Sequence, residues 1–574
     1  MRALNSLRVG LGLALAAGSA ALAQPAPGNF VAASWHFAGA SRLARDTNFA
    51  NLTNIFALQS SGDFRNLVLT RLSAWLAASL PFPTNRDSAS LVRPLLDDLL
   101  LSESFFAMGG RPQGPLSFIL AVQLDDKRAQ AWQDNLRQAL GGSQGDTGKD
   151  FPGRFWRAGG KVFWMDRDRD WLMLGVGEDP NGLQGTQYGR ELSAGQAKIW
   201  WSEMRDKYAQ EVGRSGRPGP PLGASWLEAD SAAPPSRPLP PRQNWLEADV
   251  DWPRLAQWLP AVPFSFKPAR AQIAMTIKDG SMRMRAKVTY PQPIPWKFDP
   301  WRVPTNVISV PLSSFNASQD LAALMNSDQL LSKLADNPLA GQLYVWSMGQ
   351  MGLQTYASWP VPNATNTLRR LASDAPAAFN PDLAAMKSGS LDWLPDKKTL
   401  AWEKLGTLVS PTLQVASETN GQFLLASLFP LAGKNIPPPS DLLNQFAGRT
   451  NLVYYGWEQT GLRLQEWRLL EGMLPILPKS PDTRRGPPVI MEEAWLSSVA
   501  QSMNNPTNFN TVTEITLSGP DELTVVRKSP FCLTSLELVV ASHWLTGTGS
   551  PGINLSLMPP AAKVTGPGIN PNGH

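Results

Sequence analysis

The chain has 574 residues, of which 43% are hydrophobic and 17% are charged, a composition typical of globular proteins. This length exceeds what one compact core can organise, so we predict several domains. The formal net charge of +5 is the balance of 52 basic and 47 acidic residues. That small excess argues against nucleic-acid binding, which requires a concentrated basic surface.

The first 23 residues, 1–23, have the features of a signal peptide. Two arginines precede the apolar run Val9–Leu22, and Ala21-Leu22-Ala23 forms a small-x-small cleavage site before Gln24. The run is shorter than the roughly 20 residues that a membrane-spanning helix needs. A buried N-terminal helix is the alternative interpretation. We predict cleavage between Ala23 and Gln24, export to the periplasm or the extracellular space, and a mature chain without a transmembrane segment.

Residues 24–213 are predicted to form an N-terminal α+β domain. A strand at Phe30–Phe37 precedes two helices within Phe49–Leu80, which separate near Ser60-Ser61-Gly62. The remaining predicted elements are a helix at Ser88–Leu101, strands at Ser104–Met108 and Leu116–Leu124, a helix at Lys127–Leu140, and a hairpin of Lys161–Met165 with Trp171–Val176.

Residues 214–244 hold eight prolines and four arginines, so we predict an exposed linker that is partly polyproline II. The central unit 245–306 follows. Trp245–Asp251 alternates as a half-buried strand does, and Pro253 starts a short helix to Leu259. Ala271–Lys278 and Ser281–Tyr290 form a hairpin over Asp279-Gly280, because both turn residues tolerate positive φ.

Residues 307–546 are predicted to form a C-terminal α+β domain, followed by a disordered tail at 547–574. Its predicted elements are helical segments at Asp320–Tyr356 and Met491–Met503, hairpins of Thr412–Ser417 with Gln422–Phe429, of Asn451–Gln459 with Leu462–Leu470 and of Val512–Leu517 with Glu522–Arg527, a helix at Ser440–Phe446, and a closing helix at Thr534–Trp544. The order strand–helix–hairpin recurs three times along the chain. We therefore predict a multidomain α+β protein of repeated strand–helix–hairpin units that form antiparallel sheets packed with helices.

Catalytic, metal-binding and cofactor-binding motifs give weak signals only. The run Asp166-Arg-Asp-Arg-Asp170 lacks the glycine and the glutamate of a calcium loop, so a charged hairpin tip is the preferred interpretation. The histidines lack the spacing of metal ligands. Cys532, the one cysteine, lies between Phe531 and Leu533, and this apolar setting favours a buried thiol. We predict no cofactor, no metal site and no identifiable catalytic residue. The paired carboxylates that could still serve acid–base chemistry are Glu228/Asp230, Glu247/Asp249 and Glu492/Glu493.

Tryptophan is unusually abundant, with 22 residues. Trp200-Trp201 are adjacent in the chain, and Trp296 and Trp301 are flanked by prolines, so their rings cannot all face one interior. We predict that Trp296, Trp301, Trp200 and Trp201 form a surface for a ligand or partner, because an indole suits both cores and binding surfaces. The alternative is that Trp296 and Trp301 fasten their segment to a neighbouring sheet.

The strand that begins at Leu116, the helix that begins at Asp126-Lys127 and the hairpin within Lys161–Gly177 resemble a group of uncharacterised exported bacterial proteins. Pro300-Trp-Arg-Val-Pro-Thr-Asn306, followed by Val310-Pro-Leu, is similar to a second motif of such families. The resemblance implies export and an α+β fold. It implies no activity and no functional residues.

Two classes of function agree with these observations. One is an exported, non-catalytic binding or scaffold protein of the bacterial cell envelope, which recognises a glycan, a peptide or an envelope protein through aromatic surfaces. The other is an exported hydrolase with an unrecognised carboxylate active site. The missing motifs favour the first class. A polar cleft with convergent acids of displaced pKa would favour the second.

Overall fold

The computed structural model describes residues 30–44, 50–79, 87–110, 116–140, 144–145, 154–158, 161–178, 244–255, 268–294, 296, 298–308, 310–319, 341–348, 354–385, 389–404, 410–418, 421–429, 440–446, 448–473, 490–503 and 510–546. The predicted signal peptide, most of the linker and the tail lie outside these residues.

Eleven helices lie in the described part of the chain: α1 Ala40–Leu43, α2 Ala50–Phe56, α3 Gln59–Ser79, α4 Ser88–Leu101, α5 Asp126–Leu140, α6 Trp252–Leu255, α7 Ala364–Ala385, α8 Ser440–Asn444, α9 Thr460–Met473, α10 Ile490–Ser502 and α11 Ser535–Thr546. The strands of the first half are β1 Phe30–Phe37, β2 Ser104–Gly110, β3 Leu116–Gln123, β4 Gln144–Gly145, β5 Arg154–Ala158, β6 Lys161–Asp168, β7 Trp171–Glu178, β8 Leu246–Asp251, β9 Arg270–Lys278 and β10 Ser281–Thr289. Those of the second half are β11 Leu312–Gln319, β12 Gln342–Met348, β13 Thr355–Pro360, β14 Ser390–Leu394, β15 Thr399–Glu403, β16 Thr412–Glu418, β17 Gly421–Ser427, β18 Leu452–Gln459, β19 Asn510–Gly519 and β20 Glu522–Ser529. The mixed α+β class predicted from the sequence is confirmed.

All 20 strands in the described part of the chain belong to one antiparallel sheet. The pairings give the spatial order β4-β5-β6-β7-β3-β2-β1-β8-β9-β10-β20-β19-β18-β11-β12-β13-β17-β16-β15-β14. The sheet therefore continues across the predicted domain boundaries, because β1 pairs with β8 and β10 pairs with β20. The division into domains itself stays a prediction.

The first ten strands and the last ten strands follow the same order. We call β1–β10 the N-terminal half and β11–β20 the C-terminal half. In each half a meander of three strands is followed by a helix and four more strands, and the last of these four returns beside the third strand. Three further strands extend the other side of the first strand. The halves meet at β10 and β20, where Arg285 lies opposite Val526.

Each half has its own core. In the N-terminal half α4 and α5 cover a cluster that includes Val122, Trp132 and Phe163. In the C-terminal half Phe315, Trp346 and Tyr356 are opposite one another on neighbouring strands, so they share one face of the sheet. Helix α7 covers the other face of the sheet. Leu424 faces this helix, because side chains alternate between the two faces along β17.

A layer of helices joins the two halves. Ile55 from α2 packs with Leu464, Val499 and Val539 from α9, α10 and α11. Phe64 of α3 stacks on Trp495 of α10 with ring centroids 4.2 Å apart. The halves are thus joined by a strand pair and by helix packing.

Many predicted elements are confirmed. They include β1, α4, β2, β3, α5, the β6–β7 hairpin, β8, the β16–β17 and β19–β20 hairpins, α10 and the closing helix α11. The β9–β10 hairpin turns at Asp279 and Gly280, whose φ angles are 53° and 68° as the predicted turn requires.

Three predictions about elements are wrong, and three elements were not predicted. Leu462–Leu470 lies in α9 rather than in a strand, because Leu464 and Trp467 face the helix layer at helical spacing. Within Asp320–Tyr356, β12 replaces the expected helix because Gln342, Tyr344 and Trp346 alternate into the sheet; residues 320–340 lie outside the described part. The break between α2 and α3 falls at Ala57-Leu58, ahead of the serines, and α7, β14 and β15 were not predicted.

Candidate functional site

Trp301 lies in an aromatic cluster at the edge of the C-terminal core. Its ring meets Phe446 edge-on at 5.1 Å and Tyr344 at 6.0 Å between centroids. With the Gln319 amide oriented to satisfy both of its ends, its oxygen accepts from Trp301 Nε1 at 2.9 Å and its nitrogen donates to the Asp299 carbonyl at 3.2 Å. The ring is half-buried, and its polar atom is hydrogen-bonded within the protein.

A buried glutamine holds the backbone on either side of Trp301. The Gln342 amide nitrogen donates to the Pro300 carbonyl at 2.9 Å, and its oxygen accepts from the Arg302 N–H at 2.9 Å. The Tyr344 hydroxyl also donates to that oxygen at 2.9 Å, and burial raises the pKa of Tyr344. The proline-flanked backbone is therefore fixed to the ends of β11 and β12 by side chains.

Trp296 lies against a second, smaller cluster, which includes residues of β18 and β20. It packs with Ile294, Val453 and Leu523, and its centroid is 5.9 Å from that of Phe298. Its backbone N–H donates to the Ile294 carbonyl at 2.8 Å. Its indole nitrogen is buried and has no acceptor among the described residues, whereas the Trp301 indole nitrogen has one.

Of the four tryptophans that the sequence grouped, the structure describes Trp296 and Trp301. These two lie in different clusters, and the contacts of both follow the alternative interpretation, in which the rings fasten their segment to the sheet. Their role as a ligand surface stays a prediction. Trp200 and Trp201, and the cleavage site at Ala23 and Gln24, lie outside the described residues.

A second group of residues was not predicted from the sequence: the buried carboxylate cluster, formed by Glu458, Glu466 and Glu537 with Arg463 and Arg527. Glu458 is the second-to-last residue of β18 and lies beneath the start of α11. Its Oε1 accepts from the Ser535 backbone N–H at 2.7 Å, and its Oε2 accepts from the Ser535 hydroxyl at 3.0 Å. Desolvation raises the pKa of Glu458, although the two bonds from Ser535 and the nearby Arg463 oppose this effect.

Glu537 is held from two sides. Arg527 Nη1 and Nη2 donate to its two oxygens at 2.6 and 3.0 Å, a bidentate geometry that fixes the carboxylate against the guanidinium. The Thr534 N–H donates to Glu537 Oε2 at 2.8 Å, while the Glu537 N–H donates to the Thr534 hydroxyl at 3.2 Å. These reciprocal bonds form a capping box at the start of α11.

The third carboxylate, Glu466, is almost fully buried and forms an ion pair with Arg463 on the same helix. The Arg463 guanidinium also lies 5.0 Å from the centre of the Trp467 ring. The second oxygen of Glu466 has no partner in the described part of the chain. The cluster thus brings three acids close to two arginines, and Glu458 and Glu537 have both oxygens engaged by protein donors.

Sequence reasoning could have found part of this cluster. Thr534-x-x-Glu537 ahead of the apolar α11 is the spacing of a capping box. Glu458 gives no such signal, because the strands that oppose it, β11 and β19, are distant in sequence.

The other residues considered from the sequence have structural contacts. The run Asp166–Asp170 comprises the end of β6 and the turn of the β6–β7 hairpin; Arg167 pairs with Asp126, and Arg169 in the turn has a φ of 57°. Asp249 accepts from Arg270 Nε at 2.9 Å and Nη2 at 2.5 Å. Burial raises the pKa of the Cys532 thiol to about 12. His36 Nε2 lies 2.8 Å from Glu103 Oε1. Among the described residues no three His, Cys, Asp or Glu side chains converge as metal ligands.

Of the predicted carboxylate pairs, Glu228/Asp230 lies outside the described residues. No described helix combines the length and the apolar character needed to cross a membrane.

Comparisons with known proteins add little. No family model matches the chain, and no curated protein matches it. A crystal structure of TP0453 (crystal form III) aligns with 46% of this chain and 77% of its own length, at 8% identity and a TM-score of 0.21. At that TM-score the likeness assigns neither a fold nor a function.

Proposed function

We propose that this chain is an exported, non-catalytic binding or scaffold protein of the bacterial cell envelope, whose partner is a glycan, a peptide or another envelope protein. One observation carries the proposal. The carboxylates with the setting of an active site, Glu458 and Glu537, use their oxygens to hold the start of α11. An acid that works as a general base must instead be within hydrogen-bond reach of a substrate proton.

The continuous sheet also supports a scaffold role. Antiparallel pairs link the two halves through β10 and β20, and the helix layer bridges the same joint. We propose further that the repeated units predicted from the sequence reflect two related halves, since both follow one strand order. Export rests on the sequence of residues 1–23.

A co-sedimentation assay tests the binding proposal. The mature chain is incubated with purified peptidoglycan sacculi and, separately, with washed envelope fragments. We expect the chain to pellet with one of them, and Trp296→Ala to weaken binding about tenfold, a loss of about 1.4 kcal/mol. Trp393→Ala, which removes another half-buried indole, is the matched control and should bind normally.

Absence of sedimentation with both probes would contradict the proposal. So would hydrolysis of sacculi by the purified chain that is lost in Glu458→Gln, because that result would make the cluster a catalytic site. Equal binding by Trp296→Ala and the wild type would remove Trp296 from the contact but retain the binding function.

A further inference from the structure

One end of the sheet is formed by the short strand β14. It pairs with β15 on one side, and no other described strand lies on its outer side. An outer strand presents a row of backbone N–H and C=O groups, and such a row is a template on which a strand from another chain can pair. If the chain is to remain monomeric, other groups must block the outer side of β14 or repel a strand that approaches it.

The side chain of Asn380 occupies this outer side at Leu391. The Leu391 N–H donates to Asn380 Oδ1 at 2.7 Å, and Asn380 Nδ2 donates to the Leu391 carbonyl at 3.1 Å. A residue of a neighbouring antiparallel strand would form these same two bonds with Leu391, because the two residues of a hydrogen-bonded pair exchange both N–H···O bonds. Because Leu391 directs both backbone groups to Asn380, they point away from β15.

Asp392, the next residue, adds a repulsive element. It is exposed and lies at the middle of β14. If two copies of β14 paired antiparallel about their midpoints, the two Asp392 carboxylates would lie directly opposite each other, and like charges at that position are destabilising. The remaining features of the strand favour pairing, since Leu391 and Trp393 already fix it against α7.

We propose that the Asn380 carboxamide closes the outer edge of β14 to strand addition, and that the strand it excludes is β14 of a second copy of this chain. Asp392 opposes the same pairing by charge. The device belongs to α7, which has prolines at positions 376 and 381 on either side of Asn380.

The test is sedimentation velocity of the full mature chain over a hundredfold range of concentration. Asn380→Ala should self-associate, with an apparent dissociation constant at least tenfold lower than that of the wild type. Asn380→Ala/Asp392→Asn should associate more tightly still. Asn366→Ala, which makes the same change at an exposed position on α7, is the matched control and should behave as the wild type.

A rescue variant separates strand pairing from misfolding. Leu391→Pro removes the outward N–H without removing a bond to β15, because that N–H is directed to Asn380. Asn380→Ala/Leu391→Pro should therefore return to the wild-type sedimentation profile. The proposal is overturned if Asn380→Ala sediments as the wild type does. It is also overturned if the association of Asn380→Ala persists with proline at position 391, since the association would then arise elsewhere.

Discussion

The two halves of the sheet share a strand order but differ in what their connections contain. Among the described residues, four helices lie between β1 and β2 in the N-terminal half, and two helices lie between β18 and β19 in the C-terminal half. Both sets reach the same layer, where Ser61 accepts from Trp495 Nε1 at 3.1 Å. One strand framework thus accepts helices at different connections, and in this chain both insertions cover the joint between the halves.

The two halves also differ in how their helices are fastened. In the N-terminal half the buried Asp98 accepts from the partly exposed Arg128 and from Trp132 Nε1 at 2.8 Å. The C-terminal half combines polar contacts, in which Glu458 and Glu537 hold the start of α11, with aromatic contacts such as that of Trp301 with Phe446. The difference shows that one topology is compatible with polar and with aromatic fastening, and the following predictions test each kind.

The largest effect is expected from Trp301→Ala. The change removes an aromatic ring from its contacts with Phe446 and Tyr344 and leaves Gln319 without a donor, so we expect a loss of about 3 kcal/mol in the free energy of unfolding. Urea unfolding measures it. Trp296→Ala should cost clearly less. An unchanged midpoint for Trp301→Ala would show that the ring is not part of the core.

A smaller loss, about 2 kcal/mol, is expected from Asp98→Asn in the N-terminal half. The change removes the charge that Arg128 Nη2 contacts at 2.6 Å, inside a largely buried site. Asp97→Asn is the matched control on the same helix turn. Its ion pair with Arg93 is partly exposed, so we expect Asp97→Asn to lower the free energy of unfolding by less than about 0.5 kcal/mol. Similar losses for the two variants would refute the polar anchor.

Two glycine substitutions should have effects of about 1 kcal/mol and opposite sign. Gly280 has a φ of 68° in the β9–β10 turn, so Gly280→Ala should destabilise the chain. Gly62 lies inside α3 and has open space where a Cβ would be, so Gly62→Ala should stabilise it. Thermal unfolding of both variants checks the signs. Stabilisation by Gly280→Ala would mean that the hairpin turns differently.

The smallest change is expected in a pH profile. The pKa of Glu458 is raised above the ordinary value of 4.5, so the folded chain binds this proton more tightly than the unfolded chain does. Its contribution to stability is full below pH 4.5 and is lost as the pH rises through the folded pKa.

Glu458→Gln keeps an oxygen that can accept from the Ser535 N–H, places an amide nitrogen that can donate to the Ser535 hydroxyl oxygen, and removes the charge. Its unfolding free energy should therefore lack this decline. Glu522→Gln, which removes a surface carboxylate paired with Lys287, is the control. A decline of the same size in Glu458→Gln would assign it to another group.

The sequence predicted most hairpins, because alternation and Asp-Gly or Asn-Gly turns are local signals. It did not predict the edge strand β14 or its partner β15, which are only five residues each. The role of Glu458 depends on its hydrogen bonds with Ser535, 77 residues away in the chain, and that of Trp301 depends on its contacts with Gln319 and Phe446. Contacts of this kind depend on the strand order, which no local pattern encodes.

Hydrogen exchange measured by mass spectrometry across a urea series tests the central claim most directly, namely that the two halves form one sheet through β10 and β20. We expect peptides from Ser281–Thr289 and Glu522–Ser529 to be among the slowest to exchange and to lose protection at the same urea concentration. Rapid exchange of both strands, while β2 and β12 stay protected, would contradict the joint and show two halves that fold apart.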